Sequence, residues 1–114
     1  MAIQTRFEAF DLSVELIAAL RPQLAQLTQH DRDLTDQIKR AASSIPLNLQ
    51  EGSRRVGRDR QHSFRIAAGS AAEVRAALAV AQAWGYADAQ AFAQALALID
   101  RILAMIWRLT HPRS

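Results

Sequence analysis

The stretch Leu34-Thr35-Asp36-Gln37-Ile38-Lys39-Arg40-Ala41-Ala42-Ser43-Ser44-Ile45-Pro46-Leu47-Asn48-Leu49 decides the fold. Leu34, Ile38, Ala41, Ala42, Ile45 and Leu49 recur at three- and four-residue intervals, which gathers them on one side of a helix. Pro46 interrupts the pattern, because a proline disfavours helical geometry at the residue before it, here Ile45. Two readings follow: one kinked helix starting near Asp33, or two helices meeting at Ser43-Ser44. The apolar phase runs on from Ile45 to Leu49, which favours the single kinked helix. Gly57 is then expected to end it.

On that reading the chain holds four helical segments. Upstream, Leu12, Leu16, Leu20, Leu24 and Leu27 form one helical face. Asp11 is the candidate N-cap, and Glu15 suits the positive end of the dipole. Pro22 should kink this helix or split off its last turn. Thr28 to Asp33 reads as a polar loop. Downstream, a third helix spans about Asp59 to Trp84, with Phe64, Ala67, Ala68, Ala71, Val74, Leu78 and Ala81 inward. Gly69 within it is expected to mark a close backbone approach, since glycine there costs roughly 1 kcal/mol against alanine. Gly85 suits the position after the helix.

The fourth segment starts at Asp88 as N-cap and stops at His111-Pro112. Phe92, Leu96, Ile99, Leu103 and Ile106 form one stripe. Leu98, Ile102, Met105 and Leu109 form a second. Together they cover about 200° of the helix, against the ~100° or more of an ordinary surface helix. Leu98, Ile102, Met105 and Leu109 are therefore the expected oligomer interface, unless this helix is simply the most buried of the four.

Composition agrees with an all-α chain. In 114 residues there are 4 Gly, 3 Pro and 6% aromatics, with 50% apolar residues. Such a chain buries a core and offers little material for many short strands. No cysteine is present, which excludes disulfides and thiolate metal sites. Residues 1–114 read as a single domain. Met1 to Glu8 lacks a basic stretch followed by an apolar run, so it does not resemble a secretory signal. Ala76 to Ile99 carries Asp88 as its only charge, but Gly85, glutamines and many alanines argue against a membrane span. The expected location is cytoplasmic, with no membrane partner.

An active site is hard to find. The three histidines, His30, His62 and His111, are isolated, and no Glu-x-x-His, His-Glu-x-x-His or phosphate-cradling glycine loop occurs. No enzymatic activity, cofactor or metal is expected. Glu51 and Glu73 lie among small or apolar residues. An acid–base pair is conceivable, but ion pairing with arginines such as Arg40, Arg55 or Arg65 is the commoner arrangement.

The net charge is +3 and the sequence pI about 10.5, with Lys39 the only lysine. Arg54, Arg55, Arg58, Arg60 and Arg65 cluster around the turn between helices two and three. Arg54 and Arg55 suit a helix C-terminus, whereas Arg58 and Arg60 oppose the dipole of a helix N-terminus. A bound phosphate would reverse that penalty. Arg54, Arg55, Arg58 and Arg60 are thus the candidate RNA or DNA contacts; the alternative is a solvated charged turn. No aromatic residue interleaves them, which argues against a base-stacking platform.

Segments two and three also carry the pattern Gln37-Ile38-x-Arg40-Ala41-Ala42-x-Ser44-Ile45-Pro46-x-Asn48-x-x-Glu51-Gly52, then Arg55, Phe64-x-x-Ala67-x-Gly69-Ser70-x-x-Glu73, Leu78 and Gly85-Tyr86. This pattern resembles the four-helix-bundle proteins of the 23S rRNA intervening-sequence family and spans most of the chain. The resemblance implies an antiparallel up-down bundle assembling as a ring-like homopentamer. It also implies relatives that serve as accessory subunits of diversity-generating retroelement reverse transcriptases, where a basic surface contacts nucleic acid. The family has no established enzymatic activity. The chain departs from it at Pro22 and before Leu34, where many members carry Phe-Pro.

Overall fold

The computed structural model describes residues 7–112. They form four helices: α1 (Glu8–Leu27), α2 (Arg32–Ser53), α3 (Gly57–Ala83) and α4 (Ala93–Thr110). No strand occurs among the described residues, and none of their helices is long and apolar enough to cross a membrane. The reading of Met1 to Glu8 as no secretory signal falls largely on residues 1–6, outside the described residues.

The four helices close a bundle in which each packs on two neighbours, α2 against α3 most extensively. The leucine face of α1, Ile38, Ile45 and Leu49 of α2, Phe64, Val74 and Leu78 of α3, and Ile99, Ile102 and Ile106 of α4 share one core. Alanines make the α2–α3 contact close. Ala41 and Ala42 are buried on one side, Ala67 and Ala71 on the other.

Helix α2 runs unbroken through Pro46, whose ring is buried. The chain around it is tied by polar side chains. Asn48 Nδ2 donates to the Ser44 carbonyl at 2.9 Å and to Ser44 Oγ at 3.0 Å. Ser70 Oγ donates to Ser44 Oγ at 2.8 Å, linking α3 to α2. The serines and asparagine of the motif thus tie the turn that contains Pro46 to itself and to α3.

Several local expectations are corrected. Helix α1 begins at Glu8 after Phe7, so Asp11 lies inside it rather than capping it. Pro22 does not split α1; it is exposed, and Leu24 and Leu27 hold the last turn in the core. Asp31 starts α2, its carboxylate accepting from the Leu34 amide at 2.9 Å. Gly57, at φ 58°, opens α3 instead of ending α2. Asp88 accepts from the Gln90 and Ala91 amides, both at 3.0 Å, and so caps a turn ahead of α4.

The glycines exchange roles as well. A Cβ on Gly69 would meet nothing within 4 Å, so no neighbouring backbone explains it. A Cβ on Gly52 would lie 2.5 Å from the Phe64 ring. Gly52 is the residue that lets α3 close on α2.

The apolar arc of α4 is largely consumed inside the subunit. Leu98 is 6% and Ile102 0% exposed, and Met105 and Leu109 pack half-buried against the core. Leu98 and Ile102 of the expected interface stripe are therefore core, because α1 and α3 flank α4 on both sides and cover a wide sector of it. Apart from Trp107, the exposed large apolar side chains lie outside α4. Val14, Ile17 and Leu47 lie on α1 and α2, and the first two line a groove of about 680 Å³ between those helices.

Candidate nucleic-acid interface

The arginine turn joins two helices with different ends. Helix α2 ends at Ser53 with Arg54 as C-cap, and the Arg54 and Arg55 amides donate back to Glu51 and Gly52 carbonyls. Positive side chains there meet the negative end of the α2 dipole. Val56 then extends and Gly57 turns the chain into α3. Val56 offers no side-chain acceptor to the first amides of α3. The positive end of a 27-residue helix thus lacks the cap that most helix starts carry.

The cluster divides by what each arginine touches. Arg55 pairs with Glu51, one turn back, at 2.5 Å, with side chains 54% and 45% exposed. Arg60 sits over the Phe64 ring at 5.1 Å, a cation–π contact. The same ring covers Gly52 and meets Phe7 at 6.1 Å. Arg54 and Arg58 are exposed and make no side-chain hydrogen bond, ion pair or ring contact among the described residues.

Arg58, Arg60 and Arg65 line one open depression of about 670 Å³ together with Gly57, Gln61 and His62. No carboxylate lines it. Asp59 instead faces a smaller depression beside Glu51 and Arg55. Arg58, His62 and Arg65 follow one another at four and three residues, the spacing of a single helical face. Gln61 Nε2 donates to the Leu109 carbonyl at 3.3 Å, which sets this end of α3 against the end of α4.

The expected ion-pair set is corrected. Glu51 takes Arg55, whereas Glu73, Arg40 and Arg65 are exposed and form no ion pair among the described residues. The cause is helical phase: Glu73 falls on the far side of α3 from Val74 and Ala71, where water already solvates it. Arg65 belongs to the cleft instead. Sequence reasoning missed His62 and Gln61 as cleft residues. The signal was present in the spacing Arg58–His62–Arg65, which reads as a basic face once α3 is taken to start at Gly57. No group of three or more His, Asp or Glu among the described residues is arranged to hold a metal.

The arrangement can bind an anion by charge and by hydrogen bonding. Arginine guanidinium groups donate to phosphate oxygens in a bidentate geometry, and open amides at a helix start add to them. Nothing in the cleft pairs a nucleophile with a base. Residues 4–108 match the family model of the 23S rRNA-intervening sequence protein. No curated protein matches the chain.

Proposed function

The chain belongs to the 23S rRNA-intervening sequence protein family, and from that premise we propose that it is a non-catalytic, homo-oligomeric bundle that binds RNA or DNA through the α2–α3 turn. The observation that carries this reading is the cleft of Arg58, Arg60 and Arg65 at an uncapped helix start, lined by no carboxylate. A cytoplasmic location fits such a role.

Two contacts favour the antiparallel up-down arrangement: Gln61 with Leu109, and Arg75 Nη1 with Asp100 at 3.4 Å, which run in opposite order along α3 and α4. A bend at Pro46 belongs to the same proposal. For the ring-like oligomer, for which the family resemblance suggests a pentamer, the subunit contact moves from α4 to the α1–α2 face. Val14, Ile17 and Leu47 are exposed there, next to small residues that admit a neighbouring helix. A ring would repeat the arginine cleft and raise its effective affinity.

The test is fluorescence anisotropy of one labelled RNA and one duplex DNA at two salt concentrations. The parent is compared with Arg54/Arg58/Arg65→Ala, both checked as oligomers by light scattering. The parent should lose affinity with salt at a log–log slope of about −0.7 to −0.9 per phosphate neutralised. The variant should lose affinity and slope together, with little dependence on sequence. Equal slopes would favour the second reading, a structural or protein-docking bundle, for instance on a reverse-transcriptase-like partner. The intramolecular engagement of Arg55 and Arg60 favours that reading for half of the turn.

A further inference from the structure

Helix α4 ends in a stacked pair of rings. The Trp107 indole and His111 imidazole lie 4.2 Å apart at 9°. The pair is held from below. His111 Nδ1 lies 2.9 Å from the Trp107 carbonyl and 3.1 Å from Thr110 Oγ1. A carbonyl only accepts, so Nδ1 carries the hydrogen and donates to it. Thr110 Oγ1 in turn donates to the Ile106 carbonyl at 3.0 Å. The rings are therefore set in place before any ligand arrives, yet Trp107 is 59% exposed.

Their position follows from two cross-links. Asp100 faces Arg75 across the α3–α4 groove. Trp107 lies seven residues further along, on the same stripe of α4 and about 10 Å towards its end. At that end Gln61 holds the Leu109 carbonyl. Gln61 and Arg65 both line the arginine cleft. A flat, open aromatic pair and a carboxylate-free basic cleft thus share one end of the bundle, although about 45 residues separate them in sequence. The lack of an aromatic residue between Arg54 and Arg60, which argued against base stacking, is a property of the sequence order and not of the folded surface.

We infer that the protein prefers unpaired nucleotides, whose bases stack on the Trp107–His111 rings while their phosphates lie in the cleft of Arg58, Arg60 and Arg65. This rests on the nucleic-acid reading above. Stacking on an aromatic side chain needs a free base face, which a duplex does not offer, and contributes about 1–3 kcal/mol per base. That corresponds to roughly 5- to 150-fold in affinity for each base stacked, at 1.4 kcal/mol per decade.

The experiment compares a ten-nucleotide oligo(dT) with an abasic sugar–phosphate oligomer of the same length and charge. Titrations use the Trp84→Phe protein, in which Trp107 is the sole indole. Oligo(dT) should quench Trp107 emission and bind at least fivefold more tightly than the abasic oligomer. Trp107→Ala should remove that difference and leave salt-dependent binding of both oligomers. Equal affinity of the two oligomers for the Trp107-containing protein, or binding without quenching, would overturn the inference and leave the arginine cleft as a phosphate site. If neither oligomer binds at low salt, both the inference and the nucleic-acid reading fail.

Discussion

The two ends of the bundle are finished differently. At one end, the α1–α2 and α3–α4 connections meet through the His30 and Tyr86 rings, stacked at 5.2 Å, with Trp84 beside Tyr86. Aspartates close the backbone there: Asp31 caps α2 and Asp88 caps the turn before α4. Gln82 Nε2 ties the α3–α4 connection by donating to the Asp88 carbonyl at 3.1 Å. At the other end, α3 starts without a side-chain cap, arginines surround it, and the cleft beside it carries no acid. The first end places aspartate caps on α2 and on the turn before α4, although Phe92 gives α4 itself no side-chain acceptor. The second leaves donors and positive charge turned outward, the condition under which an external anion adds most.

The largest expected effect tests whether the open end is nonetheless rigid. Gly52→Ala places a methyl group against the Phe64 ring and should cost about 1–3 kcal/mol through overpacking. Gly69→Ala meets open space in the middle of α3 and should raise stability by up to about 1 kcal/mol. Denaturant midpoints of the two variants should move in opposite directions. Movement in the same direction would mean that the Gly52–Phe64 contact does not hold the α2–α3 turn.

A smaller effect comes from exchanging the character of the ends. Asp31→Ala should lower stability by about 1 kcal/mol, the usual worth of an N-cap. Val56→Ser, at a position 82% exposed, should raise it by a similar amount by giving α3 the cap it lacks. The same serine should weaken phosphate binding, because it competes for the amides an anion would use. Thermal denaturation and anisotropy on the same samples separate the two readouts. A Val56→Ser protein with unchanged stability and binding would erase the distinction between the ends.

The smallest effect concerns the Glu51–Arg55 pair. Both side chains are about half exposed, so Glu51→Ala should shift stability by less than about 0.5 kcal/mol. It should strengthen salt-dependent nucleic-acid binding by releasing Arg55. A midpoint loss of several kcal/mol would instead make the pair a structural lock.

The helices and most of the core were legible because periodicity reports burial directly. Leu16, Leu20, Ile38, Ile45, Phe64 and Leu78 are all fully buried where the apolar phase placed them. Helix starts were less legible. An aspartate that caps a helix and one that caps a turn look alike in sequence, so Asp88 suggested an α4 start five residues before the observed one. The width of the α4 apolar arc was visible, but not how much of it α1 and α3 would cover. In the candidate site the arginines stood out by composition. Their division did not, because Arg60 over Phe64 and Arg55 on Glu51 depend on rotamers and on the path of the turn. That the end of α4 meets the start of α3, as in the Gln61–Leu109 contact, required the packing of α4 on α3.

Gly52, Phe64 and Arg60 form a layered stack that joins the core to the charged end. The stack couples how these positions can change through descent. An alanine at position 52 is admissible in a lineage that first trims the ring at 64. Trimming the ring also removes the surface on which Arg60 rests. A single neutral-looking drift in the interior would therefore turn one more arginine towards solvent, and the charge presented at this end of the bundle is inherited together with the packing beneath it.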